Sequence, residues 1–251
     1  MNSDKLVYEI YSGVWGSLDW IFPAVCAGCG EQGERLCDTC RLAINYVSAP
    51  ICNWCGTPIT HPGICPRCLR TKPSFDVLRS VAFYDGPIRE SIIRLKYNND
   101  LGLAEMLARL LIKAVTDMSW QADMVIPVPL SKNRWKERGY NQSALLALPV
   151  ALYFGWKYAP KSLARVRETK SQVGLSVPDR WANVVDAFRA NREMVARKRV
   201  LLIDDVCTTG ATMKASAQAL SEAGADHIIC LTLAKSVYAK RDAEAELKTI
   251  P

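Results

Sequence analysis

Residues Arg199 to Leu220 read RVLLIDDVCTTGATMKASAQAL. Val200, Leu201, Leu202 and Ile203 form a continuous apolar block of β-branched and leucine residues, the pattern of a strand buried on both faces in a parallel sheet. The strand is expected to end at Asp204. From Thr212 to Ala223 the residues are mostly good helix formers, with Met213, Ala217 and Leu220 on one face and Gly224 as the stop signal. The order is therefore strand, loop, helix. A loop feeding a helix N-terminus offers unpaired backbone N–H groups and the positive end of the helix dipole, and the hydroxyls of Thr208, Thr209 and Thr212 add donors around them. That combination cradles a phosphate. Asp204 and Asp205 beside it would repel the same anion, so they face something hydroxylic or a metal ion.

Outward from this stretch, the C-terminal two thirds of the chain alternate strand-like and helical text. Ser80 to Tyr84, Asp123 to Leu130 and His227 to Ala234 read as strands, and Leu103, Leu107, Leu110, Leu111 and Ala114 mark one face of a helix between the first two. The expectation is an α/β domain with a mainly parallel sheet and flanking helices.

The cysteines set the N-terminal part of the chain aside. Eight of the ten fall before residue 69, as the CxxC pairs Cys26/Cys29, Cys37/Cys40, Cys52/Cys55 and Cys65/Cys68. A CxxC turn places two thiolates on one side of a tight loop, and two such turns face to face complete a tetrahedral sulfur site for zinc. Two pairs per metal give two sites. Sequential pairing into two successive zinc ribbons is the favoured arrangement, supported by the knuckle glycines Gly28, Gly30 and Gly56; interleaved pairing and a disulfide framework are the alternatives. Sulfur-only sites leave no open coordination position, so the zinc is structural. His61 reads as a loop residue, and Cys207, isolated inside the phosphate loop, is assigned no nucleophilic role. The polar, proline-containing run Arg70 to Asp76 marks a boundary. The expected domains are 1–75, an N-terminal helix with a double zinc ribbon, and 76–251, the α/β domain.

Net charge is +7, with basic clusters at Lys132 to Tyr140, Arg165 to Lys170 and Arg189 to Arg199. Anionic ligands or nucleic acid are plausible partners, against the plainer reading of a solvated basic face. Asp4 and Glu9 stand where a secretory signal would carry a basic start and an apolar run, and the longest apolar stretch, Ala144 to Phe154, is too short to span a bilayer. A cytoplasmic protein without membrane insertion is expected.

In Ile203 to Thr212 the first glycine and the lysine of a Walker loop are absent, and so is the G-x-G-x-x-G of a dinucleotide fingerprint. What stands there, an apolar strand, Asp-Asp and T-T-G-x-T, resembles the phosphoribosyl pyrophosphate (PRPP) motif of type I phosphoribosyltransferases. By that resemblance Asp204 and Asp205 receive the ribose hydroxyls, and Cys207, Thr208, Thr209, Gly210, Ala211 and Thr212 wrap the 5′-phosphate. The strand and basic turn VIPVPLSKNRWKERGYNQS, Val125 to Ser143, resembles the pyrophosphate loop of these enzymes, which puts Leu130, Ser131 and Lys132 near the diphosphate and Mg²⁺. Arg134, Arg138, Arg165 and Arg167 are candidate anion or DNA contacts.

The whole arrangement is similar to the ComF family. It comprises LDWIFP before Cys26, the CxxC pairs, Tyr84-x-Gly86, Leu95-Lys96-Tyr97, RGYNQS, Arg165 to Phe188, and the PRPP motif. The resemblance covers roughly residues 18 to 235; Pro149 departs from the smooth helix expected after RGYNQS. It implies a double zinc ribbon ahead of a phosphoribosyltransferase-like domain, and a part in natural transformation, handling single-stranded DNA beside a competence helicase and recombination proteins. Two functions of different class follow. One is a binding protein whose ligand is PRPP with Mg²⁺; the other is a transferase moving ribose 5-phosphate to an acceptor that no segment identifies. Arg165 to Asn183 corresponds to the loop that covers the site in related transferases. Trp135, Tyr140 and Trp181, interleaved with basic residues, are candidates for base stacking or for packing.

Overall fold

The computed structural model describes residues 3–21, 24–167 and 186–236. Trp181 and most of the covering segment lie outside them. Five strands form one sheet in the order β1-β7-β6-β2-β3, with β1 Val77–Phe83, β7 His227–Lys235, β6 Arg199–Cys207, β2 Met124–Pro127 and β3 Lys157–Tyr158. Every pairing in it is parallel. A separate antiparallel pair joins β4 Leu163–Arg165 to β5 Phe188–Ala190. The α/β architecture expected from the alternating text is thus present, with a parallel sheet.

Helices cover both faces, because the pleat sends alternate residues of each central strand to opposite sides. Val125, Leu201, Ile203, Leu231 and Leu233 point into one core with α4 (Gly86–Tyr97), α5 (Leu103–Asp117) and α7 (Gln142–Phe154). Met124, Ile126, Val200, Leu202, Ile228 and Cys230 point into the other, against α9 (Ala211–Glu222). Helix α1 (Ser3–Ile21) joins the first core: the buried Glu105 carboxylate of α5 accepts from Ser12 Oγ at 2.9 Å, Tyr8 Oη at 3.3 Å and Arg109 Nε at 2.9 Å.

Helix α7 runs on through Pro149, whose missing N–H leaves one helical bond unmade. Burial of Leu146, Ala147, Val150 and Ala151 on the sheet holds the helix across that gap. Strand β6 likewise passes Asp204, pairing with β7 as far as Cys207↔Lys235.

The cysteine ribbons dock on opposite faces. Cys26, Ala27, Leu36, Cys40 and Ile44 enter the first core, whereas Cys52, Cys55, Cys65, Cys68 and Phe75 enter the second. Between them the chain passes along β1, an edge strand, with Phe83 N donating to Asn45 O at 2.8 Å and Val47 N to Val81 O at 3.0 Å.

Candidate functional site

Asp204 and Asp205 stand at the carboxyl end of β6, where open parallel sheets bind their ligands. Both are buried, and each is held by a different segment. Asn141 caps α7 by accepting from Ser143 N at 3.0 Å and anchors to the residue after β2 by donating Nδ2 to Val128 O at 3.0 Å. This fixes Ser143, whose Oγ donates to Asp204 Oδ1 at 2.6 Å; the Asp205 amide donates to the same oxygen at 2.9 Å. From α4, Lys96 forms an ion pair with Asp205 Oδ2, and the Val206 amide donates to Asp205 Oδ1 at 2.9 Å.

The two carboxyls therefore differ. Burial and the neighbouring Asp205 charge push Asp204 up to about 7, against the opposing pull of Ser143 and the Asp205 amide. Burial also acts on Asp205, yet Lys96 outweighs it and holds this carboxyl below its ordinary range. The pair carries a fixed negative charge balanced by lysine, next to a carboxyl poised to gain or lose a proton. Lys96 and Ser143 carry no individual signal in the sequence, although both lie in segments that bear the family resemblance, LKY and RGYNQS.

After the acid pair the chain turns at Thr208–Gly210 into α9. Gly210 has φ +80 and occupies the N-cap position, a backbone conformation that glycine adopts without strain. Thr209 Oγ1 accepts from Ala211 N at 3.4 Å. Cys207 is buried below the turn, and burial pushes its thiol up, away from the thiolate form a nucleophile needs.

The other candidates are distributed around this centre. Leu130 and Ser131 follow β2, and Ser131 Oγ caps α6 (Lys132–Arg138) by accepting from Arg134 N at 3.3 Å. Arg134 pairs with Glu137 at 2.9 Å, while Arg138 donates to Gln142 Oε1 at 2.9 Å and lies over the Tyr97 ring at 5.0 Å. Trp135 is 53% exposed, whereas Tyr140 is half-buried with its hydroxyl donating to Leu95 O, a packing role. Arg165 sits on β4 with its guanidinium over Phe188 at 5.5 Å, and Arg167 follows the strand.

The cysteines gather as two sets of four, Cys26/Cys29/Cys37/Cys40 and Cys52/Cys55/Cys65/Cys68, each with all sulfurs within 4.8 Å of one another. Cys26–Cys37, Cys29–Cys37 and Cys55–Cys65 are 3.7 Å apart, too far for a disulfide. That spacing fits the edge of a sulfur tetrahedron around zinc with bonds of about 2.3 Å. Backbone amides support the sulfurs: Cys37 N donates to Cys26 Sγ at 3.4 Å and Cys65 N to Cys52 Sγ at 3.3 Å. A Cβ at Gly28 would lie 2.6 Å from Cys40 Sγ, so the first knuckle requires glycine. The pairing is sequential, the sets fit two structural zinc ions, and His61 is an exposed loop residue outside them.

Two tetrathiolate ribbons on a parallel sheet that ends in an acid pair and a glycine turn define a double zinc ribbon protein with a phosphoribosyltransferase-type domain. Residues 17–69 match the family described as Double zinc ribbon domain, and 142–250 the family described as Phosphoribosyl transferase domain. DNA utilization protein YhgH of Salmonella typhimurium is 34% identical over 208 residues, covering 79% of this chain and 91% of that one. Competence protein F of Haemophilus influenzae is 33% identical over 209 residues, covering 80% and 90%. The chain belongs to the ComF family. Among solved structures, adenine phosphoribosyltransferase from Trypanosoma brucei aligns with 72% of this chain and 78% of its own, at 13% identity and a TM-score of 0.42.

Proposed function

We propose that the chain binds PRPP with Mg²⁺ at the carboxyl end of β6 and acts in natural transformation, in the handling of single-stranded DNA. The observation that carries the ligand is the acid pair, fixed by Lys96 and Ser143, directly beside the Thr208–Gly210 turn. Ribose hydroxyls donate to Asp204 and Asp205, and the 5′-phosphate lies against the amides of Cys207 to Thr212. With one lysine already offsetting two carboxylates, the donor set suits hydroxyls. Magnesium, a hard cation that keeps oxygen ligands, supplies charge neutralisation for the diphosphate, which Leu130, Ser131 and Lys132 flank.

The competence role rests on family membership and on relatives such as Competence protein F. The face that fits DNA is α6, where exposed Trp135 and Lys136 stand beside Arg134 and Arg138. No helix among the described residues is long and apolar enough to cross a membrane. The boundary near residue 75 is likewise a proposal, and limited proteolysis between Arg70 and Asp76 tests it.

Calorimetry with PRPP and Mg²⁺, followed by pyrophosphate release across a panel of bases and amines, tests the reading. Binding without turnover supports a ligand-controlled DNA-handling protein, and turnover on one acceptor makes the chain a transferase. Absence of binding by the wild type refutes both.

A further inference from the structure

The second ribbon reaches the phosphate turn through one side chain. Arg67 lies between the ligands Cys65 and Cys68 on α3 (Pro66–Arg70), and its Nη1 donates to the carbonyl of Thr209 at 3.0 Å, across 142 residues of sequence. Around this bond is a cavity of about 260 Å³, walled on the ribbon side by Cys55 and Cys68 and on the other by Thr209, Gly210 and Lys214. The neighbouring attachments are firm. Lys235, buried at the end of β7, donates from Nζ to Cys55 O at 3.4 Å, and Ser236 N donates to Cys207 O at 3.0 Å. Leu78 N of the edge strand donates to Trp54 O at 2.7 Å. Within the turn, Gly210 is in the left-handed region, and Thr209 Oγ1 makes a long 3.4 Å contact with Ala211 N.

We propose that Arg67 is a positioning residue of the phosphate turn, so that the second ribbon forms one wall of the ligand site and the order of its metal cluster is transmitted to Thr208–Gly210. A charged donor to a carbonyl is among the stronger protein hydrogen bonds. Holding the Thr209 carbonyl toward the ribbon turns the peptide plane between Thr209 and Gly210, so the Gly210 amide faces away from Arg67, toward the side on which an anion would sit. Because Cys65 and Cys68 flank Arg67 on a single helical turn, a loaded tetrathiolate cluster fixes the base of that side chain.

The ligand arm of this proposal rests on the phosphoribosyl reading above; a second arm does not. Arg67→Ala and Arg67→Lys are compared with wild type in the zinc-loaded protein. In the ligand-free state, hydrogen exchange of the segment Cys207 to Met213 is expected to quicken about tenfold in Arg67→Ala and less in Arg67→Lys, with two zinc ions per chain retained. In binding, Arg67→Ala is expected to weaken ribose 5-phosphate and PRPP about tenfold while leaving Mg²⁺-pyrophosphate unchanged, since that group is assigned to the Ser131 side. Unchanged exchange of the turn overturns the proposal, as does equal weakening of pyrophosphate and ribose 5-phosphate. Quickened exchange in a protein whose wild type binds no phosphoribosyl compound sustains the coupling and refutes the ligand reading alone.

Discussion

Replacing Asp204 with asparagine should flatten a pH dependence that the wild-type protein is expected to have in phosphoribosyl binding. Asp204 is buried beside Asp205, and these two effects push its carboxyl up to about 7. A ribose hydroxyl donates to the ionised form, whereas the protonated carboxyl presents a competing O–H. With a midpoint near 7, the ionised fraction is about one tenth at about pH 6 and about nine tenths at about pH 8, so affinity should rise about tenfold, or ~1.4 kcal/mol, over that interval. The ligand's own phosphates titrate near pH 6 as well. Asp204→Asn therefore supplies the reference profile, and the difference between the two proteins is the quantity read. Calorimetry in buffers of different ionisation enthalpy should also record release of about half a proton on binding at about pH 7. The folding sign is fixed by the same direction. A carboxyl raised above its unfolded value contributes stability that is complete below the unfolded value and is lost as pH rises through about 7. Asp205, held low by Lys96 despite burial, contributes above its unfolded value and loses that contribution as pH falls. Asp204→Asn should accordingly melt higher than wild type at about pH 8, the gap closing toward acid. Parallel binding profiles in the two proteins, with no proton released at about pH 7, would refute the assignment of Asp204 to the ribose.

Metal analysis should find two zinc ions, and a chelator should remove one well before the other, because Cys29 is exposed in the first set whereas all of Cys52, Cys55, Cys65 and Cys68 are buried; loss of both in one kinetic phase would contradict this. Gly56→Ala should cost about 2 kcal/mol, and about 5 °C in melting temperature, since φ is +61 and the new Cβ would lie 2.6 Å from Leu78 O; an unchanged melting curve would show that the second ribbon yields there. Trp135→Ala should weaken oligothymidine binding about tenfold, and Lys136→Ala should reduce its logarithmic salt slope by about one, both read by fluorescence anisotropy; wild-type affinity in both would remove α6 from the DNA face.

What the sequence made legible was local. The apolar run Val200 to Ile203, the two aspartates, the threonines and the glycine specify strand, turn and helix within a few residues of one another, and CxxC spacing specifies a metal shell in the same way. The strand extends beyond Asp204 for a non-local reason. Buried carboxylates would terminate a strand if unsatisfied, but Ser143 and Lys96, brought from α7 and α4, let the ladder continue to Cys207. Their segments were visible as text, yet the charge balance they create depends on which helices flank β6. Tyr140 illustrates the same limit: its place among basic residues leaves stacking and packing both open, and the packing is seen only where its hydroxyl ties α4 to the turn before α7. Arg67 had no sequence signal at all, since between two metal ligands a basic residue reads as solvated.

The docking of the ribbons on opposite faces follows from the edge of the sheet. A parallel sheet buried on both sides leaves β1 with an unpaired row of donors and acceptors, a liability in any protein. Residues 45–54 cover that row, through Asn45 and Val47 opposite Phe83 and Val81, and through Trp54 opposite Leu78. A chain that crosses an edge necessarily passes from one face to the other, so the ribbon before the crossing belongs to the core with Leu36 and Ile44 and the ribbon after it to the core with Phe75 and Leu78. Small tetrathiolate units bury too little apolar surface to order themselves without metal and neighbours. Each packs on neighbours here and carries a cysteine set that fits zinc, and of the two the second lands on the face that carries the Thr208–Gly210 turn. The order of the CxxC pairs along the chain, set by the crossing, thereby determines which cluster stands beside the Thr208–Gly210 turn.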